Sequence, residues 1–259
     1  MKGETEMDLG LRGKTAIITG GARGIGAGIS EVLAQEGANL VINYHSAPEE
    51  CEAFAHSMEE KYGIKSIAVQ ADIRYQEEID KVFNKAIEIF GGVDLLVNNA
   101  GVMGKVPIEE MPKIEWDRFM DTNLTALFLT SQTFIRHCLE EKKGGRCVNV
   151  LSKSAVSTNS SGNVHYMASK GGGLMLTKGL ANEMTKHGIY FNAILPGYVI
   201  SHGTDYDKGT EEAERKRLMI PTQKYATPIE MGYVTAFLLS DKASQMAGSI
   251  VDCTGGLLL

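Results

Sequence analysis

The chain is predicted to fold as an α/β protein with a doubly wound parallel sheet and helices on both faces. Three observations carry this. Short apolar runs rich in β-branched residues alternate with longer stretches of helical spacing from residue 14 to residue 253. The first run stops at a glycine cluster, Gly20-Gly21-Ala22-Arg23-Gly24-Ile25-Gly26, and a helical pattern follows at once. Later runs deliver small and polar residues to their carboxyl ends, the edge at which open α/β sheets hold ligands. The pattern has no linker and no internal split, so 259 residues are expected to form one domain, residues 1–259.

Met1 to Leu11 is a polar lead, expected to be flexible. Lys14 to Thr19 is a buried parallel strand, and the helix after the glycine cluster carries Ile29, Val32 and Leu33 on one side. Strand, glycine turn and helix together point to a nucleotide site with a Rossmann-like layout. Glycines allow the backbone to approach a pyrophosphate, and a helix N-terminus offers it free N–H groups. Asn39 to Tyr44 is the second strand. A site selective for NAD usually ends this strand in a carboxylate that holds the ribose 2′-OH. Tyr44, His45 and Ser46 stand there instead, with Arg23 available for a 2′-phosphate. NADP(H) is therefore the expected cofactor, with NAD(H) also admitted by a neutral site.

Pro48 to Tyr62 reads as a helix, Ser66 to Ile73 as the third strand and its exit, and Glu77 to Ile89 as the next helix. Asp72 is placed either at an adenine edge or as the cap of that helix. Val93 to Val97 is the fourth strand and runs into Asn98-Asn99-Ala100-Gly101. A long helix from about Ile114 to Glu141, bent near its middle, contains Asn123. Asparagine disfavours a helix interior, so Asn123 has either a side-chain partner or a solvated position. Cys147 to Leu151 is the fifth strand and delivers Ser152 to the same sheet edge.

The segment from Ser154 to His165 is rich in Ser, Asn and Gly and is expected to border a pocket. Tyr166 and Lys170 follow on a helix to about Thr185. Four residues apart, they stand on one face, and a cation beside a phenol stabilises the phenolate and lowers its pKa. Such a pair can pass a proton to a carbonyl or from an alcohol. Gly171-Gly172-Gly173 in the same helix implies either a close helix contact or a kink. Ile189 to Ile194 is the sixth strand, stopped by Pro196-Gly197, and Gly248 to Cys253 is the last. Between them, residues 201–220 read as a mobile lid and Met231 to Leu239 as a helix.

Composition narrows the function classes. A net charge of −6 with scattered Lys and Arg argues against a nucleic-acid surface. No apolar run approaches the roughly 18 residues of a membrane helix. The first ten residues lack the apolar centre of a signal peptide, so a cytoplasmic protein is expected. Cys51, Cys138, Cys147 and Cys253 lack CxxC spacing, and the histidines lack ligand spacing. No metal is expected.

Taken together these residues resemble the short-chain dehydrogenase/reductase family over about residues 12–256. Thr19 to Gly26 matches its TGxxxGxG turn, Asn98 to Gly101 its NNAG, Tyr166 and Lys170 its YxxxK, and Pro196-Gly197 its PG turn. The resemblance implies hydride transfer between a nicotinamide cofactor and a secondary alcohol or ketone. It implies that Ser152 and Tyr166 bind the substrate oxygen, that Lys170 holds the ribose and lowers the Tyr166 pKa, and that Asn123 holds a proton-relay water. The family places its serine thirteen residues before the tyrosine, where this chain has Lys153. The strand match favours Ser152, with Ser154 the rival. The cofactor would lie on Gly20, Ala22, Arg23, Gly24, Ile25 and Gly26, and on Tyr44, His45 and Ser46. Asp72, Ile73, Asn99, Ala100 and Gly101 would border it, as would Tyr166, Lys170, Pro196, Gly197, Val199 and Ser201.

The carboxy-terminal Asp-Gly-Gly of the family is here Thr254-Gly255-Gly256. A homotetramer is implied, packed around Asn123 and Gly172. The polar loop favours a small hydroxylated substrate, a sugar or polyol. The alternatives are a 3-oxoacyl-[acyl-carrier-protein] reductase, a hydroxysteroid or bile-acid dehydrogenase with Met167, Tyr198 and Met219 in its pocket, and a cofactor-binding protein without turnover.

Overall fold

The computed structural model describes residues 7–158, 161–201, 206 and 208–259. Expectations for residues 1–6, for Asn159 and Ser160, and for residues 202–205 and 207 of the lid lie outside the described residues. Seven strands form one parallel sheet: β1 Thr15–Thr19, β2 Asn39–Tyr44, β3 Ser66–Gln70, β4 Leu95–Asn98, β5 Gly145–Val150, β6 Ile189–Pro196 and β7 Ile250–Cys253. Their order across the sheet is β3-β2-β1-β4-β5-β6-β7. Ile17 of β1 lies opposite both Val41 and Leu96, so the chain changes winding direction between β1 and β4. At such a switch point the outgoing loops diverge and leave a crevice.

Among the described residues, eight helices cover the sheet: α1 Gly24–Gln35, α2 Pro48–Tyr62, α3 Gln76–Phe90, α4 Lys113–Met120, α5 Ala126–Glu140, α6 Val164–Met184, α7 Glu211–Met219 and α8 Pro228–Leu239. Strand side chains alternate between two faces. Ile18, Leu40, Ile42, Val97 and Val148 pack with Ile29 and Leu33 of α1, Met58 of α2 and Leu238 of α8. Their neighbours Ile17, Val41, Leu96 and Cys147 turn the other way, onto Phe83 of α3 and Phe134 of α5. Each fully buried Leu, Ile or Phe of these two layers contributes about 1.5–3 kcal/mol. Both faces need apolar residues, which is why the strands read as unbroken apolar runs.

Several boundaries differ from expectation. Leu11 is only 1% exposed and Leu9 packs on the same cluster, so packed structure begins before residue 12. β3 stops at Gln70; the next residue, Ala71, still donates its N–H to the Tyr44 carbonyl at 2.9 Å, while its own carbonyl accepts from the Asn43 amide at 3.0 Å. By contrast, the expected long helix runs unbroken as α4, a π-turn over Asp121–Thr125 near its middle, and α5. α6 runs without a break through its three glycines. A Cβ on Gly172 would lie 2.7 Å from a Leu124 methyl, and one on Gly173 would lie 2.8 Å from a Leu151 methyl. The contact is close and within the chain, and there is no kink.

Candidate active site

The β1–α1 turn forms one wall of the crevice. Gly20 has φ +61° and Gly24 φ +51°, a left-handed backbone that other residues adopt at a cost. A Cβ on Gly26 would fall 2.2 Å from the Gly20 carbonyl oxygen, so this glycine closes the turn from behind. The Asn99 amide donates to the carbonyls of Thr19 (2.9 Å) and Gly20 (3.0 Å). The Thr19 hydroxyl accepts from the N–H groups of Asn99 (2.9 Å) and Ala100 (3.0 Å). These bonds fasten the end of β4 to the glycine turn.

Behind the crevice lies a chain of buried polar groups. The Asn98 amide donates to Asn149 Oδ1 at 2.9 Å, and its carbonyl oxygen accepts from Thr130 at 2.6 Å. Asn149 donates to Thr177 at 2.9 Å, and Thr177 to the Gly173 carbonyl at 2.7 Å. β4, β5, α5 and α6 are thereby held in one register. Buried polar groups are tolerated when all are satisfied, and then they fix a single arrangement.

The expected catalytic residues converge at the carboxyl ends of β4 and β5. Asn123 sits in the π-turn, whose extra residue turns its side chain inward, and it is 2% exposed. It accepts from the Val102 N–H at 2.8 Å and donates to the Val102 carbonyl (3.1 Å) and Ser169 hydroxyl (3.2 Å). Of its two readings, the partnered one holds. Ser152 opens a short 3-10 turn, Lys153–Ala155, and its Oγ accepts from the Ser154 N–H at 3.1 Å. The same hydroxyl hydrogen-bonds the Tyr166 phenol. Tyr166 and Lys170 are buried one turn apart on α6. Lys170 donates to the Val150 carbonyl at 3.0 Å.

The electrostatics differ from expectation at this pair. Burial pushes the Tyr166 phenol above its ordinary value of 10, and the hydrogen bond with Ser152 opposes that. Burial lowers the Lys170 ammonium to about 8. Its Nζ lies 5.9 Å from the Tyr166 ring centroid and is aimed past the ring at Val150. Desolvation is the largest cause of the shift for both groups in this arrangement. A cavity of about 10 Å³ adjoins Lys170, bordered also by Asn123, Thr122 and Asn98.

From the pair a cleft of about 710 Å³ runs along the sheet edge to the glycine turn. Of the expected cofactor residues, Gly20, Ala22, Arg23, Gly24 and Ile25 border it, as do Tyr44, His45 and Ser46. So do Asp72, Ile73, Asn99, Ala100, Gly101, Tyr166, Lys170 and Ser201. Pro196, Gly197 and Val199 stand back from it. Pro196 pairs with Cys253 of β7, and Gly197 backs onto Thr254. Val199 is buried and bridges to Ala226. Asp72 does not cap α3, whose cap position is Tyr75. Its carboxylate accepts from Arg74 Nη2 at 2.6 Å, which holds it below the ordinary carboxylate value, and His45 lies 3.7 Å away. Arg23 is ion-paired with Glu50. Arg74, Met103 and Arg118 also border the cleft and were missed from sequence. Arg74 could have been found as a cation two residues beyond the third strand's acidic exit.

The cleft can hold an extended dinucleotide. Its glycine turn needs a left-handed backbone at Gly20 and Gly24 and leaves no room for a Cβ at Gly26, and the first turn of α1 carries no acidic side chain to repel a pyrophosphate. Comparison with known proteins agrees with that chemistry. The family model described as short chain dehydrogenase matches residues 14–214. A 3-oxoacyl-[acyl-carrier-protein] reductase FabG of Staphylococcus aureus is 34% identical over 95% of this chain and 98% of its own. Glucose 1-dehydrogenase 2 of Bacillus subtilis is 35% identical over 96% of each chain. A Burkholderia cenocepacia short chain dehydrogenase solved in complex with NADP superposes with a TM-score of 0.89, at 30% identity over 96% of this chain and 99% of that one. With the sheet order, the glycine turn and the Ser152–Tyr166–Lys170 cluster in place, the chain belongs to the short-chain dehydrogenase/reductase family, whose members are oxidoreductases acting on CH–OH and carbonyl groups.

Proposed function

We propose that the chain catalyses reversible hydride transfer between NADP(H) and a secondary alcohol or ketone, with a small hydroxylated molecule of the sugar or polyol type as substrate. The carrying observation is the Ser152–Tyr166 hydrogen bond beside Lys170, at the end of a cleft that begins at the glycine turn. When bound, the nicotinamide supplies or takes the hydride at the substrate carbon. Ser152 and Tyr166 hold the substrate oxygen. In reduction Tyr166 donates its phenolic proton to that oxygen as the carbon gains the hydride; in oxidation it takes the proton back. The raised phenol pKa suits the donating role. Lys170 faces the ribose and, with Asn123 and the small cavity between them, lies on the route by which the phenol is reprotonated. Gly20, Ala22, Arg23, Gly24 and Ile25 would take the pyrophosphate, with Gly26 behind them. Asp72, Ile73 and Asn99 to Gly101 would border the adenosine, and Ser201 the carboxamide end.

NADP(H) is favoured over NAD(H) because β2 ends in Tyr44, His45 and Ser46, with no carboxylate, and two arginines flank that end. A 2′-phosphate competes with Glu50 for Arg23 and with Asp72 for Arg74. Exposed apolar residues on α4, α5 and α6, Ile114, Phe128 and Met175, support a homotetramer. A cytoplasmic setting fits the four free cysteines, and among the described residues no helix is long and apolar enough to cross a membrane. The relative named as a 3-oxoacyl-[acyl-carrier-protein] reductase supports a second reading, reduction of 3-oxoacyl thioesters. One assay separates the two: reduced-cofactor absorbance followed against hexoses, polyols and acetoacetyl thioesters. Turnover of hexoses or polyols is expected; turnover confined to thioesters would replace the first reading by the second.

A further inference from the structure

Directly after Ser152, Lys153 begins the 3-10 turn and is only partly exposed. Its ammonium lies 5.2 Å from the ring centroid of Tyr198. Burial alone lowers its pKa, and among the described residues no carboxylate pairs with it. Tyr198 is one side of a three-ring wall. Tyr206 stacks on Tyr225 at 4.7 Å and 15°, and Tyr198 meets Tyr206 edge-on at 5.5 Å and 71°. Tyr225 is fixed by donating its hydroxyl proton to the Ala213 carbonyl. The Lys153–Ala155 turn packs against α6, the helix that carries Tyr166, and an ionised Tyr206 would raise the Tyr166 pKa. A second cation, Lys216, lies 5.7 Å from the Tyr206 ring, but Glu212 neutralises it at 2.6 Å. Among the described residues, Lys153 is thus the cation of this face without a carboxylate beside it.

A partly desolvated ammonium costs free energy unless a counter-charge reaches it, and an aromatic face offsets only part of that. One residue away stands the hydroxyl that fixes the substrate oxygen. We propose that Lys153 receives an anionic group of the substrate, a carboxylate or a phosphate, while the carbon skeleton lies against Tyr198 and Tyr206. The preferred substrate is then an anionic ketone or alcohol, such as a sugar acid or sugar phosphate, in preference to a neutral sugar. This deepens the hydride-transfer reading and rests on it.

Matched pairs test it, each setting an anionic compound against an uncharged analogue: acetoacetate and methyl acetoacetate, glucuronate and glucose, glucose 6-phosphate and glucose. A charge-assisted contact should raise kcat/KM for the anionic member by about tenfold or more. Which pair responds separates carboxylate from phosphate. In Lys153→Met, which keeps the stem over Tyr198, the anionic-to-neutral ratio should collapse to about one, and Lys153→Arg should restore most of it. Neutral members used as well as anionic ones in every pair, or a Lys153→Met variant that leaves the ratio unchanged, would overturn the proposal. Calorimetric titration of malonate and inorganic phosphate into the NADP-loaded protein judges Lys153 without turnover. At least one anion should bind about tenfold more weakly to Lys153→Met; equal affinities for both would overturn the proposal. Absence of turnover with every carbonyl and alcohol, alongside Lys153-dependent anion binding, would instead count against the hydride-transfer reading alone.

Discussion

Lys170 is buried against the Val150 carbonyl, and burial holds its ammonium at about 8 where a free lysine has 10.5. That gap is worth roughly 3 kcal/mol of folding stability. Below pH 8 both folded and unfolded chains carry the proton and the penalty is complete. Between about 8 and 10.5 the unfolded chain binds more protons, so stability rises with pH, and above that range the penalty is gone. Lys170→Met removes the penalty and leaves the Val150 carbonyl unpaired, at about 1–3 kcal/mol. The variant should melt no lower than the parent at pH 7, and its advantage should shrink toward pH 10; a melt several degrees lower with no pH trend would contradict this. It should also lose activity, since the same ammonium borders the proposed cofactor cleft. The serine assignment is tested separately. Ser152→Ala should lower kcat by about 10²–10³-fold, the range for a lost oxyanion donor, and Ser154→Ala should do far less, because Ser154 contributes its backbone N–H to Ser152 Oγ. A steady-state comparison with the opposite ranking would move the active serine to position 154.

At the scale of elements, close helix contacts divide the glycines into two kinds. A Cβ on Gly28 of α1 would lie 2.2 Å from the Pro228 backbone at the start of α8, which cannot retreat. A Cβ on Gly171 of α6 meets only the Ala155 carbonyl at 3.6 Å, an ordinary contact. Gly28→Ala should therefore lower the melting temperature markedly. Gly171→Ala should raise it by about 2–4 °C, because alanine gains about 1 kcal/mol over glycine inside a helix. Thermal melts in which both variants fall would mean that Gly171 is needed for a contact between subunits. Elements were the most legible part of the sequence, since period-2 and period-3.6 patterns follow directly from burial on a strand or a helix. Less visible was the π-turn at Asp121–Thr125. One added residue shifts the hydrophobic phase by a single position, which short apolar runs do not resolve, so the misplaced Asn123 was its mark. Tyr166, Lys170 and Ser152 were legible through motif and spacing. The raised phenol and the half-desolvated Lys153 were not, because desolvation depends on what packs around a residue from distant parts of the chain.

For the whole molecule, the charge layout of the cleft is the basis of the proposed cofactor preference. NADPH should show the higher kcat/KM, and Arg23→Ala should narrow the gap to NADH by about tenfold or more, the weight of a charge-assisted phosphate contact. A clear NADH preference in the parent protein would reverse the assignment. Sedimentation should find a tetramer; a stable monomer would leave the apolar residues of α4, α5 and α6 without a partner surface.

The order of the strands also has a consequence in time. The central ladder joins β1 to β4, with Ile17 opposite Leu96, so its two strands are separated by most of the first hundred residues. As the chain is made, β1 and β2 can pair early, but the other edge of β1 stays open until β4 has been synthesised. Closing so long a loop is entropically slow, and parallel pairings of this kind fold later than local ones. The exposed edge and the apolar faces of Ile17 and Ile18 are sticky during that interval. Completion of the central ladder is therefore expected to wait on Leu95–Asn98, the strand that leads into Asn99, whose amide fastens the glycine turn.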